Sequence, residues 1–155
     1  MTRIEQLIKD YLDYLEIEKN RSIKTRDNYD RYLRRFLAFS KVTTPEGIAQ
    51  ENVRQFRLWL NRVVDEHGKT LRRNTQNYYV IALRNFLKYC AKRDVVTLAA
   101  DKIELGKMPD RDIDIIDARD LERMTAIHEH DIKSLRDKAI LELLFSTGLR
   151  VSELC

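Results

Sequence analysis

The sequence predicts an all-α protein, a bundle of four to five helices followed by a linker and a short helical stub. Two observations carry this. Only four glycines and two prolines occur in 155 residues, too few for a turn-rich β architecture. Apolar residues also recur at three- and four-residue spacing through four successive segments, the stripe of an amphipathic helix. A hydrophobic content of 43% is enough to cover those stripes with a packed core.

The first helix, 3–19, carries Ile4, Leu7, Ile8, Tyr11, Leu12 and Leu15 on one face. Asn20-Arg21-Ser22 interrupts it, and Ser22 is a good N-cap. The second helix, 23–40, offers Tyr29, Tyr32 or Leu33, Phe36, Leu37 and Phe39 to the core. Thr44-Pro45-Glu46 reads as a cap followed by proline at a first helical position, opening a short turn over 45–48. A third helix, 51–66, presents Val53, Phe56, Trp59, Leu60, Val63 and Val64, and His67-Gly68 ends it. The fourth, 72–93, presents Tyr79, Ala82, Leu83, Phe86, Leu87 and Cys90. Each stripe must be covered by another helix, so these four close on one another.

Leu105-Gly106-Lys107-Met108-Pro109-Asp110 breaks the helical period, which places a domain over 1–104 and a linker over 105–116. Within the linker, Asp112-Ile113-Asp114-Ile115-Ile116 alternates as an extended segment does. Asp117 caps a fifth helix over 118–128, using Leu121, Met124 and Ile127, and a sixth covers 133–147. No internal repeat or low-complexity tract is visible. Charge divides at the same place. Residues 1–107 hold 22 Lys/Arg against 14 Asp/Glu, and residues 108–155 hold 7 against 11. A basic first part beside an acidic second part implies an anionic partner for the first part only.

Two basic tracts stand out. From His67 to Arg93 there is no Asp or Glu, while Lys69, Arg72, Arg73, Arg84, Lys88, Lys92 and Arg93 all fall in the window. Asn74, Thr75, Gln76 and Asn77 cluster at the start of the fourth helix. Lysines and arginines release counterions from phosphates, and short polar side chains near a helix N-terminus hold phosphates or reach base edges. On the second helix, Lys24, Asn28, Arg31 and Arg35 follow a three-or-four spacing opposite the apolar stripe. Arg26 and Arg34 read equally well as solvated charges. Most aromatic residues lie on the stripes and belong to the core. Tyr78 is off the stripe, and its hydroxyl is placed to donate to a phosphate.

The most specific string ends the chain. Ser146-Thr147-Gly148-Leu149-Arg150-Val151-Ser152-Glu153-Leu154-Cys155 follows the apolar helical run Ala139–Phe145. Gly148 sits where a helix would end in the left-handed conformation. Arg150 is then held between that turn and the next helix, and its planar fork suits a phosphate. Glu153, three residues on, can orient it.

This string closely resembles the first active-site arginine motif of the tyrosine site-specific recombinases, the phage integrase and Xer resolvase family, and the resemblance covers the whole chain. It implies a SAM-like core-binding domain that clamps duplex DNA, followed by the start of a catalytic domain. It further implies that Arg150 contacts the scissile phosphate and that Glu153 supports it. In the family two helices of the first domain cross the DNA. The resemblance therefore points to Ser22, Lys24, Thr25 and Asn28 on the second helix, and to Arg72, Arg73, Thr75 and Asn77 on the fourth. Arg31, Arg35, Lys69, Asn74, Tyr78 and Arg84 complete the candidate contacts.

The family's lysine on a β-hairpin, its His-x-x-Arg pair, its further His or Trp and its tyrosine nucleophile all lie downstream of this arginine. All seven tyrosines of this sequence precede Arg150. The expectation is a chain that binds duplex DNA without cutting it, derived from a strand-exchanging parent enzyme. Other recombinase protomers on the same site are the implied protein partners. The competing expectation is a protein-interaction fragment, working through Leu143, Leu144, Leu149 and Leu154 of the 117–155 stub. The absence of an arm-binding segment before Ile4 favours an Xer-like or transposon-type layout.

Other chemistries leave no signature. His128-Glu129-His130-Asp131 has the adjacent spacing of a loop rather than of a metal site. There is no phosphate-binding P-loop, dinucleotide fingerprint or nucleophile elbow. The expectation is no cofactor, no metal and no small-molecule substrate. No run of about 18 apolar residues exists to span a membrane. The N-terminus shows no secretory pattern, and the two cysteines, Cys90 and Cys155, make no disulfide framework. A cytoplasmic protein with Cys90 in its core is expected.

Overall fold

The computed structural model describes residues 2–64, 68–107, 115–126 and 131–155. The described residues form seven α-helices: α1 (Arg3–Ile17), α2 (Ile23–Ser40), α3 (Gln50–Arg62), α4 (Arg73–Ala91), α5 (Ala118–Thr125), α6 (Ile132–Thr147) and α7 (Val151–Leu154). Two 3-10 turns, Pro45–Gly47 and Ala100–Lys102, lie between them. The chain divides into two compact units, Met1–Pro109 and Asp110–Cys155.

The first helices of this unit start for local reasons. Thr2 caps α1 through Glu5, and the Glu5 carboxylate accepts in return from the Thr2 amide at 2.7 Å. This reciprocal pair satisfies two amides that the first turn would leave unbonded. Asn20 then takes φ 47° in the link to α2, a conformation asparagine tolerates better than most residues. Ser22 caps α2 as its sequence position predicts, accepting from the Thr25 amide at 3.3 Å. Pro45 opens the 3-10 turn at its first position, where its missing N–H costs nothing.

α4 is the central element. α1, α2 and α3 all pack on it, and so does the Ala100–Lys102 turn. Its buried residues are Asn77, Tyr79, Val80, Ala82, Leu83, Phe86, Leu87, Tyr89 and Cys90. The predicted stripe on this helix therefore widens to include Val80 and Tyr89, because three helices rather than one cover it. Aromatic contacts tie the layers together. Tyr11 of α1 lies 5.6 Å from Phe86 and 5.1 Å from Tyr89. Phe36 of α2 meets Phe56 of α3 edge-on at 5.2 Å, a favoured aromatic geometry. Ile48, Ala100 and Ile103, outside the helices, complete the core.

One element departs from expectation. α3 ends at Arg62, not at 66, and Val63 is already extended. Val64 forms an isolated antiparallel bridge with Thr70 and is 56% exposed, so the Val63-Val64 pair leaves the core stripe. Two consecutive β-branched residues suit an extended pairing better than a last helical turn. The expected linker also begins docked on the bundle, since Gly106 is hydrogen-bonded to Asn77 of α4.

In the second unit, Asp117 caps α5 and Asp131 caps α6, each accepting from the amide three residues on. α5 and α6 pack against each other. α6 ends at Gly148 with φ 67°, whose amide donates to Leu144 O. Of the alternating segment expected over 112–116, only Ile115 and Ile116 lie among the described residues, and both are exposed and non-helical.

Cys90 is fully buried and Cys155 exposed. Burial pushes the Cys90 thiol up to about 11, and the thiol is a far weaker nucleophile than the thiolate. One cysteine per native chain should therefore react with iodoacetamide at pH 8, rising to two in urea. Mass spectrometry should place the native label on Cys155.

Candidate nucleic-acid interface

α2 and α4 run antiparallel, and three contacts fix their register. Arg35 near the end of α2 donates to the Tyr79 hydroxyl near the start of α4 at 2.9 Å. Tyr32 packs on Tyr79 with ring centroids 4.4 Å apart. Asn85, further along α4, donates to the Tyr29 hydroxyl at 3.1 Å. Side chains that flank this seam on the solvent side form one face. The helical period puts Lys24, Asn28, Arg31 and Arg35 there from α2, and Asn74, Tyr78, Asn85, Lys88 and Lys92 from α4.

The cations of α2 sort into two groups by what they touch. Arg26 faces α1 and reaches Glu16 at 3.1 Å, Asp27 at 3.4 Å and Asp13 at 3.9 Å. Arg34 is held by Asp30 at 2.8 Å. Lys24, Arg31 and Arg35 have no carboxylate partner among the described residues. Arg31 instead donates to the Asn28 amide oxygen at 2.9 Å and lies over the Tyr32 ring. The Arg35 guanidinium sits 5.0 Å from the Trp59 ring and 5.6 Å from the Tyr79 ring. Aromatic faces hold the fork rigid without neutralising it.

The remaining candidates are placed as follows. Ser22 and Thr25 share a hydroxyl hydrogen bond of 3.0 Å at the start of α2. Lys69 is exposed beside the Val64–Thr70 bridge. Arg72, Arg73 and Asn74 are exposed at the start of α4, with Thr75 half-buried behind them. Arg72 stands at the N-cap position and makes no side-chain cap bond. Tyr78 is 51% exposed, consistent with its position off the stripe.

Two candidates face elsewhere. Asn77 is buried, and its amide meets the backbone of Gly106 in both directions. Asn77 Nδ2 donates to Gly106 O at 3.0 Å, and Gly106 N donates to Asn77 Oδ1 at 3.2 Å. A side chain committed this way pins the chain after the bundle and is not offered to a ligand. A Cβ at Gly106 would stand 2.9 Å from Asn77 Oδ1, so a larger residue there would have to displace this amide. Arg84 points towards the Ala100–Lys102 turn and pairs with Asp101 at 3.5 Å. Both lie about a quarter-turn from the solvent stripe of α4. Conversely, Asn85, Lys88 and Lys92 continue the stripe that Asn74 and Tyr78 begin. The signal for them was present as three- and four-residue spacing from Asn74.

In the second unit, Arg150 and Glu153 form a closed local pair. The Arg150 amide donates to Glu153 Oε2 at 2.8 Å, and its Nη1 to Oε1 at 3.1 Å. The Arg150 side chain is 81% exposed, with the rest of its fork in solvent. His128, Glu129 and His130 lie outside the described residues, and among the described residues no group of His, Cys, Asp and Glu could hold a metal ion. No described helix is long and apolar enough to cross a membrane.

Comparison with known proteins gives a consistent set of relatives. Residues 8–94 match the family model described as phage integrase, N-terminal SAM-like domain. The chain is 30% identical over 167 residues to the tyrosine recombinase XerC of Bacillus pumilus, covering 100% of this chain and 50% of that protein. It is 32% identical over 158 residues to XerC of Pelobacter propionicus, covering 99% and 51%. It is 29% identical over 156 residues to the tyrosine recombinase XerD of Oceanobacillus iheyensis, covering 97% and 50%. The chain thus spans about half the length of the curated relatives it matches. No solved structure matches it significantly.

The Asn77–Gly106 pair makes a stability prediction. Asn77→Ala leaves the Gly106 amide and carbonyl short of a partner and should cost about 1–3 kcal/mol. A urea titration reads the loss, and hydrogen exchange should show the Gly106 amide opening faster. An unchanged urea midpoint would mean the pair contributes nothing.

Proposed function

The chain belongs to the phage-integrase N-terminal SAM-like domain family, and from that premise we propose that it is the duplex-DNA-clamping part of a site-specific tyrosine recombinase. The observation that carries this reading is the sorting of cations on α2. Those facing α1 are neutralised by carboxylates, whereas Lys24, Arg31 and Arg35 on the α4 side have none. Arg72 and Arg73 at the start of α4 have no carboxylate partner among the described residues either. A face that keeps its positive charge unspent is built for a polyanion.

Roles divide by chemistry. Lys24, Arg31, Arg35 and Arg72 take backbone phosphates, and Arg73, on the Asn77–Gly106 side of α4, takes one from the edge of the face. Arg35 is the best positioned, since Trp59 and Tyr79 hold its fork while Tyr79 uses one of its five donors. Asn28, Asn74 and Tyr78 are short or planar polar groups beside those cations and would reach base edges or sugar, with Thr75 half-buried behind them. Ser22 and Thr25 border the same face, and Lys69 would take a phosphate from beside the start of α4. Asn77 and Arg84 are left out, for the reasons given by their partners.

In the complete protein, Arg150 would bind the phosphate under attack, and Glu153 would orient it. Strand exchange would then proceed by attack of a tyrosine hydroxyl on phosphorus, forming a protein–phosphate bond as a P–O bond to the sugar breaks and the departing sugar hydroxyl takes a proton, with arginines stabilising the charge that develops. Family members cut and rejoin through a protein–phosphate bond, so no cofactor is called for.

A second reading rests on the apolar surface of the second unit. Ile132 is 86% exposed and Phe145 69% exposed, and Leu143 and Leu149 are also exposed. Such a surface favours self-association or contact with other recombinase protomers.

Fluorescence anisotropy with a random-sequence 30-base-pair duplex tests the choice. Binding should weaken with salt at a log–log slope near −0.9 per phosphate contact. Changing Lys24, Arg72 and Arg73 together to Ala should weaken binding at fixed salt and make the slope shallower by about 2 to 3. Equal, salt-insensitive binding by both proteins would remove the DNA reading and leave the association reading, whose mark is a mass that rises with protein concentration.

A further inference from the structure

An open cleft of 460 Å3 lies between the α1–α2 link and the C-terminal half of α4. Lys19 and Arg21 border it from the link, Lys88 and Lys92 from α4, and Thr25 from α2. Its remaining lining is tyrosine, leucine and Asn85, with no Asp or Glu. None of the four cations has a carboxylate partner among the described residues. Lys19 rests 5.5 Å above the Tyr14 ring. The neighbouring acid, Glu18, is engaged by Arg93 at 3.6 Å. Arg93 itself stacks 4.6 Å from the Tyr89 ring. The aromatic floor therefore separates a paired cation from four unpaired ones.

We propose that this cleft extends the α2/α4 face into a phosphate-binding site that adds Lys19 and Arg21 to Lys88 and Lys92, taking consecutive backbone phosphates of one strand of the duplex held on that face. The inference rests on the DNA-clamping reading and extends it to residues outside the motif-derived contacts. Three features select a strand over a small anion. Four positive charges converge where a single phosphate needs one or two. The cleft is open to solvent rather than enclosed. It also shares Thr25 and Asn85 with the α2/α4 seam, so a strand following that seam runs into it. Asn85 is prepared for this role: its Nδ2 donates one hydrogen to the Tyr29 hydroxyl at 3.1 Å, which fixes the amide and leaves its second N–H to donate to a phosphate oxygen. A purely structural explanation also exists. α1 and α4 both end here, and cations at helix C-termini are favoured by the helix dipole. That explanation predicts a change in stability and none in DNA binding.

The test compares the 155-residue chain with a variant carrying K19Q, R21Q, K88Q and K92Q, over about 50 to 200 mM NaCl with the random 30-base-pair duplex. If the cleft holds phosphates, the log–log salt slope becomes shallower by about 2 to 4, at roughly 0.9 per lost contact, with the thermal midpoint unchanged. Should the quadruple variant melt early, the K88Q/K92Q pair gives the same reading with a change of about 1 to 2. Salt-dependent binding by the wild type with an unaltered slope in the variants overturns the cleft and leaves the DNA reading standing. No binding by the wild type removes both. Titration with tripolyphosphate, followed by amide NMR shifts of residues 19–25 and 85–92, separates a small anion from a strand. Shifts with tripolyphosphate and none with duplex would overturn the assignment to nucleic acid.

Discussion

The first unit depends on the burial of α4. A helix at the surface of a bundle hides one stripe, but α4 is covered by α1, α2, α3 and the Ala100–Lys102 turn. Its 19 residues run about 28 Å, and along that length only one narrow line remains in water. Phe86, Leu83 and Leu87 could not be exposed without large cost. Every polar or charged side chain on α4 must therefore leave along that line or find a partner inside. Asn77 and Arg84 found partners, in Gly106 and Asp101. Asn74, Tyr78, Asn85, Lys88 and Lys92 took the line. Packing thus concentrates on one side what the sequence spreads along the helix.

The same constraint explains why charge on α2 is divided. α2 lies between α1, whose outer turns carry Asp13 and Glu16, and α4, which contributes no acid at all. An arginine on the α1 side meets carboxylates; one on the α4 side meets aromatic faces. Exposed ion pairs such as Arg34–Asp30 add little stability. Their effect is electrostatic bookkeeping of position: they remove positive potential from the α1 side and leave it on the α4 side. Arg35 shows the consequence most clearly. Trp59 and Tyr79 fix its guanidinium without cancelling its charge, so little conformational entropy remains to be lost when an anion arrives.

How much of this was legible in the sequence follows from the range of each interaction. Helix periods and caps are local, and Ser22, Pro45, Asp117 and Gly148 all act where the sequence places them. The core of α4 was read too narrowly because a stripe template assumes one covering neighbour. Val80 and Tyr89 needed knowledge of the other two. The end of α3 was overrun because Val63 and Val64 continue the apolar period, and only the bridge to Thr70 tells them apart. Asn77 looked like its polar neighbours Asn74 and Thr75. What distinguishes it is Gly106, 29 positions away, and no local pattern carries that. The cleft beside Lys88 was missed for the same reason, since Lys19 and Arg21 reach it only through the folded link.

The two units divide the work on the proposed reading, and charge makes the division necessary. Residues 108–155 carry 7 Lys/Arg against 11 Asp/Glu, so they cannot supply the general attraction that brings a duplex in. What they supply is one arginine whose geometry is complete within the six residues Gly148–Glu153. Gly148 turns the chain, α7 restarts it, and Glu153 returns to bond both the amide and the fork of Arg150. Glu153 fixes one edge of the guanidinium and leaves the other free. A single oriented arginine in an acidic setting discriminates by geometry rather than by charge. On that reading it would engage a phosphate only when one is delivered at the right place. Delivery would then fall to the basic face of the first unit, whose unpaired cations on α2 and α4 would hold the strand without reading the reacting bond.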